Sequence, residues 1–326
     1  MQENIRQIYR EIEESGARFV TGLIGNPIGH SLSPFIMNSA YEILNMPENR
    51  YFLFETEKDK LKEMVEFFRL IESPDCASTS ISEEKKNEWT VNCGNRALGQ
   101  HSGLRLVGFN VTMPFKQEIV ALCDELDEMV KITGSANVVK NTCGRLKAYN
   151  TDGKGFFNGL EDSSDKEFKS MTLLGAGGAA KAIIAEGASA GLKSINVFAR
   201  KGKNFESLEA MLEKLKHLND ICTINLTDLT ECSQLYESIK YSDLLVNATS
   251  AGMEDDLSAI DDFSILHDGL FVADIIYKNK TRLLAEAEKK GLKTMNGLPM
   301  LFAQADLSFE IWNGRHLPEV LKDKFY

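Results

Sequence analysis

The run MTLLGAGGAAKAIIAEGASAGL, residues 171–192, constrains the fold more than any other stretch of the chain. Apolar and β-branched residues lead into Gly175, and helix-forming residues begin a few positions later. Gly175, Gly177 and Ala180 stand at the spacing G-x-G-x-x-A. The first glycine makes a tight turn, the second lets a pyrophosphate approach the backbone, and a small third residue lets helix pack closely on strand. The helix then points free amide groups and a partial positive charge at the turn. The alternative is a tight turn in a sheet that binds nothing. The strand before it and the helix after it favour dinucleotide binding, with Gly175, Ala176, Gly177, Gly178 and Ala179 at the phosphates.

The rest of the chain alternates at the same rhythm. RFVTGLIGNP, YFLFET and RLVGFNVTM read as strands, and SPFIMNSAYEILN, KDKLKEMVEFFRLI and PFKQEIVALCDELDEMVKIT as helices. Ser33 and Pro34 suit an N-cap and a first helical turn. Later, SINVFAR, SDLLVNATS and GLFVADIIY read as strands, and SLEAMLEKLK, TRLLAEAEKKG and LPMLFAQADLSFEIWNG as helices. Such alternation implies an α/β fold built on parallel sheet. A length of 326 residues suits about two domains. Two stretches stand apart. The opening MQENIRQIYREIEESG reads as a short amphipathic helix. Residues 72–104, rich in Ser, Asn, Gly and charge, form a loop too long to be ordinary; it reads as a mobile surface insertion or as a lid or subunit contact.

A formal net charge of −11 excludes a nucleic-acid surface, which needs a basic footprint. A small anionic substrate stays admissible, because one pocket can be locally positive. Six cysteines, at positions 76, 93, 123, 143, 222 and 232, show neither a C-x-x-C pair nor metal-ligand spacing. They read as free thiols in a reducing cytoplasm, with no metal. The polar N-terminus is no signal peptide, and no apolar run approaches the roughly 20 residues of a membrane span. A cytoplasmic protein without nucleic-acid or membrane partners is expected, as monomer or homodimer.

Polar residues gather where strands end. GNPIGHSLSP places Ser31 and Ser33 after the first strand, at the end where open α/β sheets bind ligands; Ser33 is equally suited to capping the next helix. A His30–Ser31 nucleophile is not supported, since no G-x-S-x-G elbow exists. GFNVTMPFKQEIV sets Asn110, Thr112 and Lys116 where a buried strand would carry valine. GSANVV puts Asn137 on a loop entering a short strand. YNTDGKGF puts Asp152 in a turn ahead of a helix, where a carboxylate also serves as a cap. After SINVFAR the chain carries Arg200, Lys201 and Lys203, and the first acid is Glu206. An NAD site usually has an acid there, whereas a guanidinium clamps a 2′-phosphate. NADP is therefore favoured, with NAD as the alternative and a solvated basic loop as the bland reading.

Taken in order, GNPIGHSLSP, GFNVTMPFK, GSANVV, YNTDGKGF, LLGAGGAAKA, NATSAGM and NGLPMLFAQA resemble the shikimate dehydrogenase family, its shikimate/quinate branch included. The resemblance runs from about residue 20 to the C-terminus, apart from 72–104. It implies a two-domain α/β protein with its active site between the domains. Residues 1–151 and 297–326 would form a discontinuous substrate-binding domain, and residues 152–296 a Rossmann-type NADP-binding domain. It implies that Ser31 and Ser33 bind the substrate carboxylate, that Thr112, Asn137, Tyr277 and Gln304 bind the ring hydroxyls, and that Lys116 and Asp152 are the catalytic pair. Gly297 and Met300 would approach the nicotinamide, and Asn247, Thr249 and Met253 would line the cofactor's other side. The implied activity is reversible reduction of 3-dehydroshikimate to shikimate with NADPH, in aromatic amino-acid biosynthesis. A quinate/shikimate dehydrogenase accepting NAD is the near alternative. A non-catalytic sensor of shikimate or cofactor, which has no need of Lys116 and Asp152, is the distant one.

Elementary chemistry supports the same roles. Interconverting an alcohol and a ketone moves a hydride, which a cofactor handles, and a proton, which needs an acid/base within hydrogen-bond reach. A partly desolvated lysine beside a carboxylate meets that need. Three residues depart from the family pattern. Ala199 stands where many NADP-using members have Asn, Gly202 where quinate-using members often have an acid, and Pro299 where glycine is usual. The N-terminal extension and the insertion have no counterpart, and both are open to a role in oligomerisation.

Overall fold

The computed structural model describes residues 2–71, 104–216 and 222–324. The stretch expected to be a mobile insertion or lid, apart from Leu104, lies outside the described residues. Two compact units divide the chain, Met1–Asn150 with Ala305–Lys324, and Thr151–Gln304.

The first unit opens with α1 (Gln2–Glu14), β1 (Phe19–Gly25), α2 (Ser33–Ile43), β2 (Asn49–Glu55), α3 (Leu61–Leu70) and β3 (Arg105–Val111). β1 lies between β2 and β3, parallel to both. Nearly all its residues are buried, as a central parallel strand requires. Ile5, Ile8 and Ile12 recur at helical spacing on α1 and are buried in the same core as Phe54, Phe68 and Phe109. The Tyr9 ring meets Phe67 edge-on at 6.4 Å. The N-terminal extension thus belongs to this unit's own core.

Past β3 the sheet becomes mixed. β4 (Glu125–Leu126), β5 (Val138–Thr142) and β6 (Arg145–Tyr149) complete the order β2-β1-β3-β5-β6-β4. β5 runs antiparallel to both β3 and β6. Cys143 and Gly144, with φ of 52° and 75°, join β5 to β6 through the left-handed turn that suits a tight hairpin. Residues 114–133 do not form the single expected helix. A 3-10 turn (Glu118–Leu122), β4 and α4 (Glu128–Thr133) replace it. The Asp124 carboxylate accepts the Leu146 N–H at 2.7 Å and the Arg69 guanidinium at 2.6 Å, which draws the chain into strand pairing. Asp127 then caps α4, accepting from Val130 N–H at 2.8 Å.

The second unit contains α5 (Asp152–Ser163), β7 (Ser170–Leu174), α6 (Gly178–Ser189), β8 (Ser194–Ala199), α7 (Lys203–Lys216), β9 (Thr223–Asp228), α8 (Cys232–Lys240), β10 (Leu244–Asn247), β11 (Phe271–Asp274), α9 (Arg282–Lys289) and β12 (Thr294–Met295). Its sheet is wholly parallel, in the order β12-β11-β10-β7-β8-β9. The winding reverses between β7 and β10, as in doubly wound dinucleotide-binding folds. α10 (Gly297–Asn313) supplies its first turns to this unit and, from Ala305, its remainder to the first unit, followed by α11 (Glu319–Lys322). β9 and α8 were not expected; TINLTD is an edge strand of exposed and half-buried residues, so its apolar signal is weak.

Cys143 is disulfide-bonded, while Cys123, Cys222 and Cys232 are free. The expectation of free thiols is corrected at Cys143, because cysteine spacing carries no signal for a pair that folding brings together. No described helix is long and apolar enough to cross a membrane.

Candidate functional site

β1 and β3 end side by side, with Ile24 opposite Val111, and the loops leaving them hold the first set of expected residues. A side chain at Gly25 would collide with Thr112 and Ile28, so these loops lie in direct contact. Thr112 N–H donates to the Ile24 carbonyl at 2.9 Å, and Asn26 N–H to that of Met113 at 3.1 Å. Ser33 is buried and is the first residue of α2, not its N-cap; Leu32 holds the cap position. Ser31 Oγ instead accepts the Ser33 N–H at 3.2 Å. That correction leaves both serines at the end of β1.

Lys116 sits in the turn after β3 and not in a helix. Fully buried Phe115 anchors that turn, and the Lys116 carbonyl accepts Ala136 N–H at 2.8 Å, which sets it beside Asn137. Asn137 is buried, and its carbonyl accepts Val111 N–H at 2.8 Å. Asn110, singled out in the sequence without a role, and Tyr51, which the sequence did not single out, complete the group. Tyr51 Oη donates to Asn110 Oδ1 at 2.8 Å. Asn110 Nδ2 donates to the Asn137 carbonyl at 3.1 Å and to Ser308 Oγ at 3.0 Å. Burial pushes the Tyr51 hydroxyl well above the usual phenol range, and a hydrogen bond with Ser33 only partly opposes it. Tyr51 is therefore a neutral hydroxyl at physiological pH. An amide inside an apolar strand signals Asn110 in the sequence, whereas Tyr51 reads there as a core aromatic. Together the group presents hydroxyls, amides and one ammonium suited to a small polyhydroxylated acid.

In the second unit the glycine turn lies at the point where the strand order reverses. Gly175 has φ of 121°, and a Cβ there would stand 2.6 Å from the Ala248 carbonyl oxygen, so no larger residue fits between the ends of β7 and β10. Gly177 precedes α6 with extended backbone, and Gly178 begins it. A Cβ on Gly177 or Gly178 would meet nothing within 4 Å. The protein's own packing thus leaves these two positions open above the amino end of α6, which fits a pyrophosphate resting on the backbone. Ala176 is buried, and Ala179 lies in the first turn of α6. Arg200 and Lys201, both exposed, follow β8. The Lys201 ammonium lies 4.1 Å from the Phe205 ring centre. These cations stand one strand over from the turn, where a 2′-phosphate would lie.

At the ends of β10 and β11 a buried polar network forms. Asn247 Nδ2 donates to Asp274 at 2.9 Å, and its Oδ1 accepts from Thr249 Oγ1 at 2.7 Å. Asp274 is fully buried and also accepts from Thr281 at 2.8 Å and Ile276 N–H at 3.0 Å. Burial pushes the Asp274 carboxyl up, and these donors oppose it. Asn247 and Thr249 therefore shape the loop by holding it onto β11. The sequence reading missed Asp274, which closes an apolar strand and reads there as its end.

Met253, beyond that loop, is exposed, and Tyr277 is half-buried with its hydroxyl pushed up by burial. Gly297 N–H donates to the Ile276 carbonyl at 3.1 Å as α10 begins, and Met300 is buried one turn on. Asp152, buried, is the first residue of α5. Beside it Thr151 donates to the Gln304 carbonyl at 3.3 Å. Asp152, Gln304, Met300 and Gly297 thus gather where α5 meets the first turns of α10. Lys116 belongs to the first unit and Asp152 to the second. Among the described residues no group of His, Cys, Asp and Glu side chains converges as metal ligands do.

A model of the shikimate dehydrogenase substrate binding domain matches residues 23–81 and 90–139. The chain is 35% identical over 312 residues to a shikimate dehydrogenase (NADP(+)) of Alkaliphilus metalliredigens, covering 94% of this chain and 96% of that relative. It is 37% identical over 302 residues to a shikimate dehydrogenase (NADP(+)) of Lactococcus lactis subsp. cremoris, covering 92% and 93%. Among solved structures, the shikimate 5-dehydrogenase of Listeria monocytogenes in complex with shikimate and NAD matches with a TM-score of 0.78 at 33% identity, over 94% of this chain and 96% of that one.

Proposed function

Because the chain belongs to the shikimate dehydrogenase family, we propose that it interconverts 3-dehydroshikimate and shikimate with NADPH and NADP, reducing the ketone in the supply of aromatic amino acids. The observation that carries the cofactor half is the glycine turn at the strand-order reversal, open above Gly177 and Gly178, with Arg200 and Lys201 one strand away. Gly175, Ala176, Gly177, Gly178 and Ala179 hold the pyrophosphate, and Arg200 and Lys201 the 2′-phosphate. Gly297 and Met300 would approach the nicotinamide, and Asn247, Thr249 and Met253 would line the cofactor's other side. When bound, the nicotinamide supplies or accepts a hydride.

The chain's own residues do the rest. Ser31 and Ser33 hold the substrate carboxylate, and Thr112, Asn137, Tyr277 and Gln304 the ring hydroxyls. Tyr51, through Asn110, keeps the carbonyl of Asn137 in register. Lys116 gives its proton to the substrate's carbonyl oxygen in the direction of reduction and takes it back from the hydroxyl in the reverse direction. Asp152 orients the ammonium and stabilises its charge.

Nicotinamide absorbance with the purified protein tests this reading, crossing shikimate and quinate against NADP and NAD. Shikimate with NADP is expected to turn over fastest. Lys116→Ala is expected to lower kcat by roughly 10²–10⁴, the usual share of general acid/base catalysis, with NADPH affinity unchanged. Near-normal turnover of the alanine variant overturns the lysine's role. Equal rates with quinate and NAD replace the substrate and cofactor assignment, and no turnover with any pair overturns the enzymatic reading.

A further inference from the structure

At the other end of the first unit's sheet, the first residues of three parallel strands stand in a row. The register sets Phe19 opposite Asn49 on one side and opposite Arg105 on the other, and neighbours in parallel register project to one face. The last turn of α10 brings Trp312 to that face. Its indole N–H donates to the Val139 carbonyl at 3.1 Å, and its ring lies 6.3 Å from that of Tyr51, two residues along β2 from Asn49. Phe19, Met46, Asn49, Arg105 and Trp312 help to line a cavity of about 390 Å³, within the range of roughly 300–1,000 Å³ for small-molecule sites.

Asn49 singles this cavity out. It is only 9% exposed, yet among the described residues its side-chain amide has no hydrogen-bond partner, although its backbone N–H donates to the Met46 carbonyl at 3.1 Å. Buried side-chain amides are nearly always partnered, and a bare one is costly. No described side chain accounts for an amide there, where leucine would leave no bare polar group.

We propose that the cavity is a second ligand site, for a compact aromatic carboxylate. Its ring packs against Phe19, Met46 and Trp312. Its carboxylate meets the Arg105 guanidinium, in charge-assisted hydrogen bonds, and accepts the missing bond from Asn49 Nδ2. The site lies at the opposite end of β1 from Ser31 and Lys116, with the Tyr51 ring between Trp312 and Ser33. Phe19 opens β1 and Gly25 closes it, a separation of about 20 Å at strand rise. A ligand here does not compete for Ser31 or Lys116.

Trp89 and Trp312 are the two tryptophans of the chain, so Trp89→Phe leaves Trp312 as sole reporter. Titrating that variant with phenylacetate is expected to change its tryptophan emission saturably, with shikimate present or absent. Asn49→Leu is expected to unfold at the same temperature or higher without ligand, and to bind phenylacetate at least tenfold more weakly. Arg105→Met is expected to lose affinity to a similar degree and provides the test if Asn49→Leu does not fold. Benzyl alcohol, which lacks the charge, is expected to bind at least tenfold more weakly than phenylacetate. Emission that does not saturate, affinity unchanged in a variant that folds, or phenylacetate displaced by shikimate overturns the proposal.

Discussion

Arg69, near the end of α3, ties together segments that lie far apart in the chain. Its guanidinium donates to Asp124 at 2.6 Å, to the Leu122 carbonyl at 2.8 Å, and to the carbonyl of Gly144. Burial alone would raise the Asp124 carboxyl, but the hydrogen bonds from Arg69 and from Leu146 N–H outweigh it and hold it below the usual carboxylate range. A depressed carboxyl contributes stability that is present above the ordinary value, near 4, and lost as pH falls through the lower folded one. Arg69→Met is therefore expected to cost about 2 kcal/mol at neutral pH, from the carbonyls it abandons and the weakened pair. The ion pair itself gives the smaller share, because the Asp124 side chain is 40% exposed. Urea unfolding at neutral and at acid pH should show the gap narrowing as Asp124 protonates. Little of this was legible in the sequence. Arg69 reads there as a last-turn basic residue, and its partner lies 55 residues on. That distance is also why residues 114–133 read as one helix, since no local signal shows what Asp124 will bind. Ser31, Thr112, Lys116 and Asn137 were legible for the opposite reason, being polar groups at the ends of apolar strands.

At the scale of elements, glycines divide into those that folding needs and those that it does not. In α5, a Cβ at Gly155 would stand 2.8 Å from the Gln304 backbone nitrogen, and one at Gly159 would stand 2.7 Å from the Pro299 carbonyl carbon. These glycines let α5 lie directly on α10. Gly155→Ala must push the helices apart and is expected to cost about 1–3 kcal/mol, as overpacking does. Gly177→Ala meets nothing within 4 Å and is expected to unfold like the parent while binding NADPH much more weakly. Thermal melts and NADPH fluorescence titrations on both variants separate the two kinds. A shared loss of stability refutes the division. The strand, turn and helix around Gly175 were legible because each local signal agrees with the others. β9 and the hairpin of β5 and β6 were not, because an edge strand needs few apolar residues and Cys-Gly is a weak turn signature.

For the whole molecule, the alternation of strands and helices carried the α/β class, while the place of the N-terminal extension came only from packing. Three α1 isoleucines are buried in the first unit's core, each worth about 1.5–3 kcal/mol. Removing residues 1–15 is expected to cost roughly 5 kcal/mol or more, much of a typical domain's stability. The check is a denaturant melt of the truncated protein at two concentrations. Loss of stability that does not depend on concentration is expected, whereas loss that dilution of the parent chain reproduces points to an oligomer contact. The division of the chain reaches further still. Thr151–Gln304 is one uninterrupted stretch, but the first unit also needs Ser308, Phe309, Trp312 and Leu321, all buried and all from Ala305–Lys324. On the ribosome, then, the body begun first is finished last. Its early strands leave the exit tunnel with a face uncovered, the kind of exposed surface that misassembles, until Ala305–Lys324 follow, whereas the body encoded between them can close first.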